Sequence, residues 1–229
     1  MISLKILLKK LMNHPAPIIV FVGKPDSGKT DCALWFAEMG LEWELLDMCA
    51  SNTPVSDNRF LKLTSLRALE VWLSMFKRKK KLFILDEADE KLTNLHVISK
   101  LSKEFRVPMG FQIRKFHAKL FLIYHRLKDV PEFYLDKNVT LAVVKKLGKK
   151  TALIKSDLLF PLIRQTVLKI TNIPRTRIPF NTFGVGMFSL ENKKEEEMLR
   201  LWHNTIILER SGFEDDQIKA ILKDVLFQN

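Results

Sequence analysis

The sequence predicts an α/β fold in which helices cover both faces of a mostly parallel β-sheet. The first observation is a continuous apolar run at residues 18–22, which is typical of a strand buried on both faces of such a sheet. The second is the alternation of strand-like runs with segments of helical periodicity from there to residue 124. The third is the composition: 47% hydrophobic residues, with 8 Gly and 9 Pro among 229 positions, exclude a disordered or low-complexity chain.

Strand-like and helix-like segments follow each other in a regular order. Residues 1–12 are predicted to form a short basic amphipathic helix. The strand at 18–22 leads through a glycine-containing loop to a helix at 29–39, which Gly40 is placed to end. A hairpin with a basic tip, residues 139–154, is expected at the sheet edge. The other predicted segments are the strands 43–48, 82–85 and 120–124 and the helices 66–76 and 95–105.

Beyond the hairpin the pattern becomes less regular. Residues 173–180 are predicted to form an ordered extended loop, and helical periodicity over 191–210 and 215–227 breaks at Ser211-Gly212. This pair of helices fits a packed αα-hairpin or an oligomer contact, and also a DNA-binding helix-turn-helix. The predicted parts of the chain are a basic N-terminal arm, an α/β core and a helical C-terminal appendage, at residues 1–14, 15–189 and 190–229.

The charge balance predicts a polyanionic partner. The 38 Lys and Arg residues exceed the 26 Asp and Glu residues by 12 charges, which favours nucleic acid or an anionic membrane face. Basic clusters lie at 77–81, at Arg114-Lys115 with Lys119, and at 145–150. Such clusters contact phosphates without reading bases, and the runs 77–81 and 145–150 contain no aromatic residue, so duplex DNA is favoured over unpaired bases.

Several classes of protein are excluded by what the sequence lacks. Cys32 and Cys49 are 17 positions apart on different predicted elements, so neither a disulfide framework nor a zinc site is expected. Residues 1–11 do not have the pattern of a secretion signal. No uninterrupted run of about 18 apolar residues is present, so we expect no membrane span and a cytoplasmic location.

A phosphate-binding motif occupies the loop between the first strand and the helix after it. Residues 23–30, Gly-Lys-Pro-Asp-Ser-Gly-Lys-Thr, match G-x-x-x-x-G-K-[ST] between a buried strand and a helix, which is the context that this motif requires. Its glycines let backbone N–H groups point at phosphate oxygens near the positive end of the helix. We expect Lys29 to reach the β and γ phosphates of ATP and Thr30 to bind Mg²⁺. The predicted nucleotide-binding residues are Gly23, Lys24, Pro25, Asp26, Ser27, Gly28, Lys29, Thr30 and Asp31.

An acidic pair closes the strand at 82–85. Ligands of open α/β sheets gather at the carboxyl ends of the strands, so Asp86 and Glu87 should lie beside the phosphate-binding loop. We expect Asp86 to hold Mg²⁺ through water and Glu87 to orient and deprotonate the attacking water. Residues 86–89 also spell the Asp-Glu-Ala-Asp helicase tetrad, but that family needs a second lobe for which 229 residues leave no room.

These motifs resemble the additional-strand class of P-loop ATPases, in which a glutamate directly after the aspartate marks the hydrolytic branch. The segment from Gln112 to Pro131 resembles the FtsK and HerA family of DNA-pumping ATPases and the small P-loop ATPases of archaeal viruses and plasmids. That family usually has glutamine where this chain has His125. The resemblance implies a phosphate-sensing residue here, either His125 or Tyr124, and a neutral imidazole can donate the one hydrogen bond that this role needs.

The resemblance implies a Mg²⁺-dependent ATPase that moves duplex DNA as a homo-oligomeric ring, for example a hexamer. The alternative is an AAA+ replication initiator or loader that binds DNA and uses ATP as an assembly switch. A scaffold that only binds nucleotide would leave Glu87 unexplained. A single lobe needs an arginine from a neighbouring subunit to reach full rate. The candidates for that arginine are Arg114, Arg126, Arg175 and Arg177.

Overall fold

The computed structural model of the protein describes residues 4–75, 78–88, 113, 115–135, 140–156, 167–180, 188–214 and 217. The described α-helices are α1 (Leu4–Asn13), α2 (Lys29–Glu42), α3 (Leu66–Ser74) and α4 (Lys193–Arg210). The strands are β1 (Ile18–Val22), β2 (Met48–Ser51), β3 (Phe60–Lys62), β4 (Lys81–Leu85), β5 (Ala118–Tyr124), β6 (Thr140–Gly148), β7 (Thr151–Lys155) and β8 (Val167–Ile170).

The eight strands form one sheet in the order β3-β2-β4-β5-β1-β6-β7-β8. The strands from β3 to β6 are parallel to their neighbours, and β7 and β8 extend the sheet as antiparallel strands. Strand β5 lies between β1, which leads into the phosphate loop, and β4, which ends at the acidic pair. The predicted fold class, a mostly parallel sheet with helices, is therefore confirmed.

Two hydrophobic clusters cover the two faces of the sheet. In β1, Ile19 and Phe21 pack on the side of α1 and α2, whereas Ile18, Val20 and Val22 pack on the side of α3 and α4. All five side chains are at most 2% exposed. Because β1 is buried on both faces, its sequence is apolar at every position and not at alternate ones.

Helix α1 forms where the sequence predicts a basic arm, but its apolar side belongs to the core. Leu7, Leu8 and Leu11 are at most 2% exposed and pack in the cluster that contains α2. The chain after the helix is fixed by Lys119, whose Nζ donates a hydrogen bond of 2.7 Å to the carbonyl oxygen of Ala16 and another to that of His14. The domain boundaries themselves remain predictions.

The prediction that Gly40 ends α2 is wrong, because the helix continues to Glu42. Gly40 lies against Leu46, and a Cβ atom there would be 2.6 Å from Leu46 Cδ1. The glycine therefore permits close packing within the helix. The longer helix moves the next strand to Met48–Ser51, beyond the predicted 43–48. Strands β3 and β8 were not predicted.

Helix α4 is attached to the start of α3 by polar contacts. The Glu195 carboxylate accepts a hydrogen bond of 2.7 Å from the backbone N–H of Thr64 and bonds from the hydroxyls of Thr64 and Ser65. Ser65 also caps α3 by accepting a bond from Ala68 N–H. The predicted break after residue 210 is present, with Gly212 at φ 86°. The helix predicted at 95–105 and, apart from Gln217, the one at 215–227 lie outside the described residues.

Three lysines of the predicted basic clusters are buried. Lys81, Lys119 and Lys146 are 0%, 6% and 3% exposed. The Lys81 ammonium donates hydrogen bonds of 2.6 Å to the carbonyl oxygens of Leu73 and Met75, at the end of α3. Burial lowers the pKa of Lys81 to about 8. None of the described helices has the length and hydropathy needed to cross a membrane.

We predict that Lys81→Met lowers the free energy of unfolding by about 1–3 kcal/mol at pH 7, since two buried carbonyl oxygens lose their donor. The matched control is Lys80→Met at the neighbouring exposed position, which should change the stability by less than about 0.5 kcal/mol. Urea unfolding followed by circular dichroism measures both variants.

The pH dependence of the same difference is a second readout. The pKa of Lys81 is about 8 in the folded protein and 10.5 as its ordinary value, so the folded state binds fewer protons than the unfolded state between these limits. The contribution of Lys81 to stability therefore rises with pH across this range. The stability gap between wild type and Lys81→Met should widen from pH 8 to pH 10.5. A stability gap that narrows over this pH range would contradict the burial of the Lys81 ammonium at the end of α3.

Candidate nucleotide-binding site

The phosphate loop, residues 23–30, joins the end of β1 to the first turn of α2. Gly28 has φ 77° and ψ 38°, a left-handed conformation in which glycine is not strained. Gly23 packs tightly, since a Cβ atom there would lie 2.6 Å from Ser27 Oγ and 3.0 Å from the Lys146 side chain. These two positions explain why the loop needs glycine at both ends.

Lys29 lies within the curl of the loop and is 8% exposed. Its Nζ atom donates a hydrogen bond of 3.0 Å to the carbonyl oxygen of Lys24. The ammonium is therefore held over the loop backbone at the start of α2, where unpaired N–H groups favour anions.

Thr30 and Asp86 meet at the carboxyl edge of the sheet. The Thr30 hydroxyl donates a hydrogen bond of 2.9 Å to Asp86 Oδ2, across 56 positions of sequence. The Thr53 hydroxyl lies 3.5 Å from the same oxygen. Burial raises the pKa of Asp86, while the bonds from Thr30 and from the Glu87 N–H, with the charges of Lys29 and His125, act in the opposite direction. A cation beside this carboxylate would favour its charged form.

The donor set at this point fits Mg²⁺. It offers a hydroxyl and a carboxylate, which are hard oxygen ligands, and Mg²⁺ takes one or two of these and completes its shell with phosphate oxygens and water. No group of three or more His, Cys, Asp or Glu suited to a metal ion occurs among the described residues. Thr30 and Asp86 are the described residues that could hold such an ion.

Glu87 follows Asp86 in a strained backbone conformation. Its φ of 54° is rare for a residue with a side chain. The backbone N–H of Glu87 donates a hydrogen bond of 2.9 Å to Asp86 Oδ1. Because the chain turns here, both carboxylates of the acidic pair lie along the same cavity.

Asn52 is a site residue that sequence reasoning missed. Its side-chain amide donates a hydrogen bond of 3.2 Å to the backbone carbonyl of Asp86, and its Oδ1 accepts one of 2.7 Å from the backbone N–H of Asp86. The amide thereby fixes the position of the chain at the end of β4. The sequence does carry a signal for Asn52, because the polar segment 51–58 follows a predicted strand. Prediction of that strand at 43–48, however, puts Asn52 several residues beyond the carboxyl edge of the sheet, whereas β2 in fact ends at Ser51.

The two candidates for a sensing residue point in different directions at the end of β5. Tyr124 is 0% exposed and packs in the hydrophobic cluster with α3. His125 lines the cavity beside Glu87. Geometry therefore makes His125 available to a bound phosphate and leaves Tyr124 in the core.

The candidate arginines differ in their partners. Arg177 donates a hydrogen bond of 2.6 Å to Glu38 of α2 and also pairs with Glu42. Arg126, directly after His125, donates one of 2.7 Å to Asp129. Arg175 lines the cavity, and Arg114 lies outside the described residues.

The cavity has a volume of about 740 Å³, within the range of small-molecule sites. Later parts of the chain complete its wall: Lys149 comes from the β6–β7 hairpin tip, and residues 175, 176 and 178–180 come from the extended loop. A second surface cavity of about 750 Å³, near β3, contains none of the motif residues. The predicted nucleotide-binding residues that line the first cavity are Pro25, Asp26, Gly28, Lys29, Thr30 and Asp31.

No family model matches the chain, and no curated protein matches it. Among solved structures, the genome packaging NTPase B204 from Sulfolobus turreted icosahedral virus 2, in complex with sulfate, aligns with a TM-score of 0.51 at 14% identity, over 71% of this chain and 99% of that chain. The DNA-packaging ATPase B204 from Sulfolobus Turreted Icosahedral Virus aligns with a TM-score of 0.49 at 11% identity, over 70% and 99%. The flagellar accessory protein FlaH from Methanocaldococcus jannaschii aligns with a TM-score of 0.39 at 12% identity, over 72% of this chain and 89% of that chain. The chain has the P-loop NTPase fold, so the fold implied by the sequence resemblance is confirmed.

Proposed function

We propose that the protein is a Mg²⁺-dependent ATPase. The observation that carries this proposal is the 2.9 Å contact between the Thr30 hydroxyl and Asp86 Oδ2 beneath the phosphate loop. Lys29 and Glu87 line the same cavity. A phosphate-binding cation, a metal-binding pair and a carboxylate base are the groups that phosphoryl transfer to water requires.

Binding of the phosphates would use groups that are already in place. The N–H groups at the start of α2 face the loop, and the Lys29 ammonium would exchange its bond with the Lys24 carbonyl for phosphate oxygens. Thr30 and Asp86 would hold Mg²⁺, which when bound neutralises charge on the phosphates. Asn52 would keep Asp86 in position through its two bonds to the backbone.

Glu87 and His125 would act on the water and the terminal phosphate. The Glu87 carboxylate would orient the water and accept its proton, which makes this residue the general base. The His125 imidazole, at the end of the adjacent strand β5, would donate a hydrogen bond to the terminal phosphate or to the water.

We predict that Glu87→Gln binds ATP normally but hydrolyses it about 10²- to 10⁴-fold more slowly, because the metal-binding pair remains and the base is lost. Lys29→Ala should lose nucleotide binding. Glu132→Gln, at an exposed position outside the cavity, is the matched control and should retain the wild-type rate. Isothermal titration and phosphate release measure binding and hydrolysis separately; an unchanged rate in Glu87→Gln would assign the base to another residue.

We propose further that hydrolysis drives movement of duplex DNA by a homo-oligomeric ring. The net charge of +12 favours a polyanion, and the similar B204 protein from Sulfolobus turreted icosahedral virus 2 is described as a genome packaging NTPase. Lys80 and Lys115 are exposed and precede the adjacent parallel strands β4 and β5. They therefore lie at the amino edge of the sheet, opposite the nucleotide cavity, where DNA can bind without displacing ATP.

A ring would also bring an arginine from a neighbouring subunit to each nucleotide. We assign this role to Arg126, which directly follows His125 and is 66% exposed, because the equally exposed Arg177 is bound to Glu38 and Glu42. Asp129 holds the guanidinium at the surface through a 2.7 Å bond. A neighbouring subunit seated on this edge would receive Arg126 at its own nucleotide.

We predict that DNA affinity falls about 10³-fold between about 50 and 200 mM salt, because binding rests on phosphate contacts and counterion release. Changing Lys80 and Lys115 together to Gln should reduce the slope of log affinity against log salt by about 2. The control replaces Lys193 and Lys194 of α4 by Gln and should keep the slope. If salt does not change the affinity for DNA, duplex DNA is not the partner. If DNA binds but does not accelerate ATP hydrolysis, the result favours the alternative in which ATP acts as an assembly switch.

A further inference from the structure

Residues 173–180, here called the strap, connect three elements that surround the nucleotide cavity. The strap begins at the β6–β7 hairpin, where the backbone N–H of Ile173 donates a hydrogen bond of 3.1 Å to the carbonyl oxygen of Lys150. It ends at the segment after β2, where Phe180 forms a β-bridge with Val55 and the N–H of Ser56 donates a bond of 2.9 Å to the Pro179 carbonyl. Both ends of the strap are therefore held.

The middle of the strap is fixed to α2, the helix that begins at the phosphate loop. Asp31 accepts a hydrogen bond of 3.2 Å from the Thr176 N–H. Glu38 accepts bonds of 2.8 Å from the Thr176 hydroxyl, 3.0 Å from the Arg177 N–H and 2.6 Å from Arg177 Nε. Glu42 adds an ion pair with Arg177. Three carboxylates on one side of α2 thus hold two consecutive strap residues.

The contact at Glu38 is strong because the carboxylate is buried and both of its oxygens accept hydrogen bonds. Glu38 is 1% exposed. Burial alone would raise its pKa, but the hydrogen bonds from Arg177 and Thr176 outweigh that effect and hold the pKa below its ordinary value. Removal of Arg177 would leave a buried charge with fewer donors, which is a costly change. Arg177 is therefore an anchor of the strap.

Arg175 stands between the anchors at Ile173 and Thr176 and has a different environment. Its guanidinium makes no hydrogen bond or ion pair with any residue that the structure describes, and it lines the cavity together with Lys29 and Lys149. Its charge acts on Asp31, in the first turn of α2. The next strap residues on the cavity wall, Ile178, Pro179 and Phe180, are apolar.

We infer that the strap binds the nucleotide of its own chain, with Arg175 contacting the phosphates in cis and the apolar residues 178–180 facing the base. Three cations, Lys29, Lys149 and Arg175, share the cavity with four carboxylates, Asp26, Asp31, Asp86 and Glu87. The cations suit the phosphates of a nucleotide, and the acidic pair suits its metal ion and the attacking water. This inference rests on the proposed ATPase function and deepens it. It also removes Arg175 from the set of arginines available to a neighbouring subunit.

The first test is the affinity of each variant for ATP. Arg175→Ala should weaken ATP binding by about tenfold or more, since a charge-assisted contact is lost from an exposed position that the fold does not need. Arg200→Ala, on the exposed side of α4, is the matched control and should bind as wild type does. Arg177→Ala should weaken binding by releasing the strap, and Arg177→Lys should restore part of the affinity. Binding of ATP to Arg175→Ala at wild-type affinity would overturn the inference.

Mixing of variants separates a cis contact from a contact between subunits. Arg175→Ala has an intact phosphate loop and Lys29→Ala has an intact arginine, so a contact between subunits would let the mixture regain activity that neither variant has alone. A cis contact predicts hydrolysis equal to the sum of the two separate rates, measured at an ATP concentration near the wild-type dissociation constant. Activity above that sum would assign Arg175 to the neighbouring subunit and overturn the inference.

The same titrations distinguish failure of the strap from failure of the ATPase proposal. If wild type does not bind ATP, both proposals fail. If wild type binds ATP and Lys29→Ala does not, while Arg175→Ala binds like wild type, the ATPase proposal stands and only the role of the strap is rejected.

Discussion

The contact between the Thr30 hydroxyl and the Asp86 carboxylate is the constraint on which the site depends. It joins the first turn of α2 to the end of β4, although β5 separates β4 from β1 in the sheet. The side chains can meet because parallel strands end at one edge, where the helix that follows β1 also begins. Asn52 holds the Asp86 backbone from the other side. The position of the acidic pair is thus fixed by β4, by the start of α2 and by the segment after β2, without a bound ligand.

Part of the positive charge of the chain has a structural role that composition alone does not reveal. Lys81 and Lys119 donate to backbone carbonyls inside the fold, and Lys146 donates to the carbonyl of Lys149 at the hairpin tip behind the phosphate loop. These lysines are needed for structure and are too buried to bind a duplex. The hairpin tip, which the sequence predicts to contact phosphates, also places Lys149 at the nucleotide cavity. The net charge of +12 therefore overstates the positive charge that is exposed at the surface.

The parts of the fold that sequence predicted well are those in which one local signal decides the structure. An apolar run such as 18–22 is a buried strand wherever it lies, and the phosphate-loop motif fixes its own turn. Gly40 was misassigned because a glycine within a helix and one that ends it look alike without Leu46 beside it. The role of Asn52 and the cis position of the strap depend on contacts between residues far apart in sequence. No local pattern reports such contacts, and only the folded chain brings them together.

The most direct test of this account is the effect of Mg²⁺ on ATP affinity. We expect wild type to bind ATP about tenfold or more tightly with Mg²⁺ than in EDTA, because Thr30 and Asp86 hold the ion against the phosphates. Thr30→Val and Asp86→Asn should each lose that enhancement, whereas Thr53→Val, which removes the more distant hydroxyl at 3.5 Å, should keep most of it. An Asp86→Asn protein that retains the full effect of Mg²⁺ would contradict the assignment of this contact as the centre of the site.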